Sequence, residues 1–79
     1  MLTGYIAAAL RVAHYEILED GSYYGEIPGL QGVYANMGTL EATREELQSV
    51  LEDWLLFRLT NGFAIPPIDG IELATTRVA

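Results

Sequence analysis

His14-Tyr15-Glu16-Ile17-Leu18-Glu19-Asp20-Gly21-Ser22-Tyr23-Tyr24-Gly25-Glu26-Ile27 is the stretch on which the fold turns. Up to Leu18 it alternates, with Tyr15 and Ile17 pointing one way and His14, Glu16 and Leu18 the other. That period of two belongs to a strand. Glu19-Asp20-Gly21-Ser22 is a turn cluster, and Asp-Gly is the strongest short hairpin signal. The chain returns as a second strand until Pro28, which cannot donate to a ladder. A turn centred on Asp20-Gly21 sets Leu18 opposite Tyr23 and Ile17 opposite Tyr24. In that register both hairpin faces carry apolar groups, and both need a cover.

Downstream, Pro28-Gly29-Leu30-Gln31-Gly32 is a loop with two glycines able to take positive φ. Val33 to Met37 alternates again, with Val33, Ala35 and Met37 on one side, as a third strand. Short connections between consecutive strands favour an antiparallel meander. Thr39 then caps a long helix predicted over Leu40–Thr60, with Glu41 well placed for its dipole. Leu47, Val50, Leu51, Trp54 and Leu55 form its buried stripe, and Asn61-Gly62 its left-handed end, with Phe63 folding back on Phe57. After Pro66-Pro67, Asp69-Gly70 turns and Ile71-Glu72-Leu73 reads as a short closing strand. Upstream, Leu2, Tyr5, Ile6, Ala9 and Leu10 keep helical spacing, which predicts a short helix over 3–12 capped by Thr3. The order is α-β-β-β-α-β: an α+β domain with a mainly antiparallel three- to four-stranded sheet packed on one long helix. The second sheet face is left to the short helix, a second copy or a partner.

Composition narrows the function. Residues 1–79 form a single domain, and 51% hydrophobic content is too rich for a disordered chain. The absence of cysteine removes disulfides, thiolate metal sites and thiol nucleophiles, and one histidine cannot build a multi-histidine site. Eleven acids against four arginines and no lysine give a formal charge of −7. Nucleic-acid binders show the reverse, so no direct nucleic-acid contact is expected. A basic partner is the electrostatic complement, although acids also simply keep a small protein soluble. The apolar stretch Tyr5–Ala13 lacks a basic leader and is interrupted by Arg11, and no run approaches the ~18 residues of a membrane span. The expected location is the cytoplasm, with no membrane contact.

The arrangement from Tyr15 to Gly32, with its Asp20-Gly21 hairpin and Ile27-Pro28-Gly29-Leu30-x-Gly32 corner, followed by Gly38-Thr39-Leu40-Glu41, resembles the HicB-like antitoxin family. So do Glu45, Leu47, Leu51, Trp54-Leu55 and the helix exit Gly62-Phe63-Ala64-Ile65-Pro66. The likeness spans roughly residues 13–73. It implies a partial ribonuclease-H-like fold and the antitoxin half of a bacterial toxin–antitoxin pair. The family's partner, HicA, is a small basic ribonuclease with a double-stranded-RNA-binding-like fold and a catalytic histidine, and the antitoxin blocks its access to RNA. Two departures stand out. Many members carry a C-terminal DNA-binding module, whereas only Thr75–Ala79 follow the last expected strand here. The simplest members lack the N-terminal helix.

The candidate site residues are weighed against plainer roles. Glu16, Glu19, Asp20 and Glu26 cluster in sequence around the hairpin, but in the register above Glu16 and Glu26 fall on opposite faces. Solvated hairpin acids are therefore expected rather than a magnesium site, with no metal and no cofactor. His14 has no catalytic companion and reads as a partly buried strand residue, while Ser22 and Ser49 read as turn and helix-face positions. Tyr23 and Tyr24 lack the basic neighbours that base stacking would use. The expectation is a non-enzymatic protein that masks a HicA-type toxin through Glu19, Asp20, Tyr23, Tyr24 and Glu26. Its competitor is a solitary self-assembling domain without a toxin. Leu56, Phe57, Leu59 and Phe63 exceed what one packed helix face requires, and are assigned to a homo-oligomer interface.

Overall fold

The hairpin forms, but with a three-residue loop. The computed structural model describes residues 2–71. Strands β1 (His14–Ile17) and β2 (Tyr23–Glu26) pair antiparallel with Ile17 opposite Tyr23 and Glu16 opposite Tyr24. The Leu18 N–H donates to the Ser22 carbonyl at 2.9 Å, and the Gly21 N–H to the Leu18 carbonyl at 2.9 Å. Gly21 takes φ +86°, which is the left-handed residue of a type I turn closed by a bulge. The Asp20 carboxylate stabilises this longer loop by accepting from the Ser22 backbone N–H at 2.9 Å and hydroxyl at 2.6 Å.

The expected register is thus corrected by one residue, and such a slip turns every side chain of β2 over. Tyr15, Ile17, Tyr23 and Gly25 share one face with Ala35 and Met37 of β3 (Tyr34–Met37). His14, Glu16, Tyr24, Glu26, Tyr34 and Asn36 share the other. The first face receives α2 (Leu40–Asn61). The second carries no aliphatic side chain, so the expectation of two apolar faces is overturned.

Between β2 and β3 the chain makes two successive turns. Leu30 N–H donates to Ile27 C=O, Val33 N–H donates to Leu30 C=O, and Gly29 and Gly32 take φ of +88° and +92° at the third position of each. This is type II geometry, with Pro28 pre-setting the first turn. The paired turns drive Ile27, Leu30 and Val33 inward, each at most 3% exposed.

Helix α2 matches its expected limits and caps. Thr39 Oγ1 accepts from the Ala42 N–H at 3.0 Å, and Gly62 closes the far end at φ 71°. Thr43, Leu47, Leu51 and Leu55, spaced four apart, are its buried line, with Val50 and Trp54 half-buried beside it. Thr43 is fully buried because it joins three elements: its hydroxyl donates to the Tyr23 carbonyl at 2.9 Å and accepts from the Met37 N–H at 3.1 Å.

Helix α1 (Leu2–Arg11) begins early enough that Thr3 lies inside its first turn and does not cap it. It buries Tyr5, Ala8 and Ala9 and packs against α2, in the helical layer rather than over the second sheet face. The Tyr5 hydroxyl donates to the Pro66 carbonyl at 2.6 Å, tying α1 to the segment after α2. Ile68 and Ile71 exchange both backbone hydrogen bonds across Asp69-Gly70, where φ is positive at both residues, as in a type I′ turn. Ile71 therefore joins this small bridge and not the sheet, whose strand order among the described residues is β1-β2-β3. Glu72 and Leu73 of the expected closing strand, and Thr75–Ala79, lie outside the described residues.

Candidate functional site

Among the described residues, no element covers the sheet face turned away from α2. Along it, His14, Glu26 and Tyr34 form one cross-strand row, and Glu16, Tyr24 and Asn36 the next. Five of these six side chains are exposed and Tyr24 is half-buried. The Tyr24 and Tyr34 rings stack with centroids 6.2 Å apart and planes 27° from parallel. The Tyr24 hydroxyl donates to Glu26 Oε1 at 2.9 Å. Acceptance by that carboxylate, and secondarily burial, pushes the Tyr24 phenol pKa up, so the group remains a donor throughout the neutral range. Asn36 Nδ2 donates to Ser22 Oγ and to the Tyr23 carbonyl at 2.9 and 2.8 Å, bracing the loop end of the face. No arginine lies in either row.

Of the residues singled out from sequence, Tyr24 and Glu26 meet on this face. Glu19 and Asp20 sit exposed at the hairpin tip, at its margin. Ser22 bonding holds the Asp20 carboxyl below the usual carboxylate range, so the tip stays charged at neutral pH. Tyr23 is set apart: it turns to the α2 side, half-buried, with its carbonyl accepting from Thr43. Two expectations are corrected. Glu16 and Glu26 share a face, because the loop is one residue longer than assumed. His14 is exposed rather than partly buried, because no described element covers that face. Tyr34, Asn36 and Glu16 were missed as contributors, and counting the hairpin as a three-residue loop is the signal that finds them. Among the described residues, no group of three or more histidines, aspartates and glutamates is placed to hold a metal ion.

A second unusual surface lies at the far end of α2. Strands of four residues span only ~13 Å, whereas α2 runs for ~33 Å, so the helix outreaches the sheet it covers. Leu56 and Phe57 are 65% and 59% exposed, and Leu59 and Phe63 are also exposed. Phe63 folds back on Phe57 with ring centroids 5.6 Å apart, and Arg58 lies 4.5 Å over the Trp54 ring. Among the described residues, no helix is long and apolar enough to cross a membrane.

Comparison with known proteins agrees with this architecture. The structure is similar to that of TTHA0281 from Thermus thermophilus, at 42% sequence identity and a TM-score of 0.89, covering 96% of this chain and 95% of the other. No curated protein matches the chain. The UPF0150-like family profile matches residues 4–66, which include most of α1, all of α2, the whole sheet and the double turn. A match over that much of the chain, with a meander of three strands on one long capped helix, makes it a member of the UPF0150-like family.

Proposed function

We propose that this chain is a non-enzymatic, HicB-like antitoxin that binds a small basic ribonuclease of the HicA type and masks its RNA-binding surface. The observation that carries this reading is the uncovered sheet face, where Glu16 and Glu26 flank two stacked tyrosines with no arginine among them. Membership of the UPF0150-like family and the charge of −7 support it. The mechanism is steric and electrostatic. The acidic face, extended by Glu19 and Asp20 at the hairpin tip, pairs with the cations the toxin uses for phosphate. RNA is then excluded by occupancy and by like charge. Complementary potentials also accelerate encounter, so association slows as salt rises. No cofactor is needed, and a cytoplasmic location fits a partner that acts on RNA.

Co-expression with the basic chain of ~60–90 residues expected in a neighbouring reading frame, followed by purification and an RNA-cleavage assay, tests the reading. A stable complex with cleavage suppressed is the expected result. A folded, active ribonuclease that ignores this chain overturns the reading, as does magnesium-dependent nuclease activity of the chain alone.

The apolar end of α2 favours a second, compatible reading, self-association through Leu56, Phe57, Leu59 and Phe63. Light scattering at micromolar concentration should then give a multiple of 8.7 kDa that Leu56→Glu reduces to the single-chain mass. A single-chain mass for the unaltered protein contradicts it.

A further inference from the structure

The tyrosine pair has a cavity beside it. A depression of about 380 Å³ lies between the double turn at 27–33 and the strands, with Tyr24, Glu26 and Tyr34 on its strand side and Pro28 on its turn side. Three features fix the chemistry of an occupant. Glu26 gives Oε1 to the Tyr24 hydroxyl, and among the described residues its Oε2 has no protein partner. The carboxylate is thereby oriented but not neutralised. Tyr34 is 57% exposed, so a ring face is open to an incoming group. Among the described residues the cavity is lined by no arginine, and the chain contains no lysine.

We propose that this cavity is the receptor for a single arginine side chain of the basic protein partner, its guanidinium lying over the Tyr34 ring and donating to Glu26. A flat guanidinium stacks on an aromatic ring and donates in the ring's plane at the same time. An ammonium offers a compact charge without the flat face, so lysine binds more weakly. A phosphate or nucleotide would stack on the tyrosines only by bringing its negative charge against Glu26 and Glu16. The inference rests on the proposed function in taking the arginine to be part of a protein, but its test needs no toxin.

Amide chemical shifts of the labelled full chain are followed during titration with N-acetyl-arginine amide, N-acetyl-lysine amide and a short single-stranded oligoribonucleotide. The arginine probe should give saturable shifts at Tyr24, Glu26 and Tyr34. Lysine should bind several-fold more weakly, and the oligoribonucleotide should leave these amides unmoved. Glu26→Gln and Tyr34→Ala should each weaken arginine binding about tenfold, as loss of a charge-assisted contact or a stacking face does. Both positions are exposed, and the same spectra report whether each variant remains folded. No shift with arginine, equal response to lysine, or RNA shifts centred on the tyrosines overturns the inference. An intact toxin complex in a protein blind to arginine removes this inference alone. Arginine binding without any toxin complex removes the proposed function alone.

Discussion

Leu51→Ala should lower the stability of this domain by about 3 kcal/mol, within the 2–5 kcal/mol range of buried leucine truncations. Leu51 is fully buried, at the middle of the α2 line that runs from Thr43 through Leu47 to Leu55. Truncation removes apolar atoms from the place where the helix meets the core and leaves a void between rigid walls. A chain of 79 residues has only about 4–12 kcal/mol to lose, so this single change removes a quarter or more of it. The melting temperature should fall by roughly 12–24 °C. Ser49→Ala, on the exposed side of the same helix and outside the Leu56–Phe63 patch, should change stability by no more than about 0.5 kcal/mol. Chemical denaturation of both variants is the check. Equal losses from the two would mean that α2 does not pack by this face.

Gly25→Ala should destabilise by about 1–3 kcal/mol although alanine has the better intrinsic tolerance of ordinary strand dihedrals. A Cβ at Gly25 would lie 2.8 Å from Cδ1 and Cε1 of Tyr15 and 3.1 Å from Cγ2 of Thr43. Gly25 faces Tyr15 across the β1–β2 ladder, so the ring lies flat over the missing side chain. Relief requires Tyr15 to lift away, yet Thr43 stands on the other side, held by hydrogen bonds to β2 and β3. The cause is separable in a double-mutant cycle with Tyr15→Leu. With the ring gone, most of the penalty at position 25 should vanish, a coupling of about 1 kcal/mol or more. An unchanged penalty in the Tyr15→Leu background would place the strain elsewhere.

What could be read from the chain before its structure depended on how local each signal was. The limits of α2 were legible because its ends are chemical: the Thr39 hydroxyl and the Gly62 left-handed turn each act within four residues. The existence of the hairpin was legible from Asp20-Gly21, but its register was not. Asp-Gly serves equally as the centre of a two-residue loop or the end of a three-residue one. The choice rests on the Asp20 carboxylate reaching Ser22, a side-chain bond that no period reveals. That ambiguity passed directly to the site. With the register off by one, Tyr24 and Glu26 were named without Glu16, Tyr34 and Asn36, the partners that make a continuous face. Thr43 was passed over because a lone threonine between Ala42 and Arg44 carries no pattern, while its clasp spans α2, β2 and β3. The position of α1 was also illegible. Its apolar stripe required a dock without saying which, and the Tyr5 contact with Pro66 crosses 61 residues of sequence.

The central claim is that the bare sheet face meets a basic ribonuclease. Its most direct test is the affinity of the purified complex after charge reversal, comparing Glu16→Lys/Glu26→Lys with Glu45→Lys/Glu46→Lys on exposed α2 positions. Both pairs change the net charge equally, so a general electrostatic effect would weaken binding equally. The account predicts a loss of at least about 100-fold for the sheet pair, from like charges set against the partner's cations, and at most a few-fold for the helix pair. Sheet-face reversal that leaves the affinity within a few-fold of the unaltered protein would contradict it.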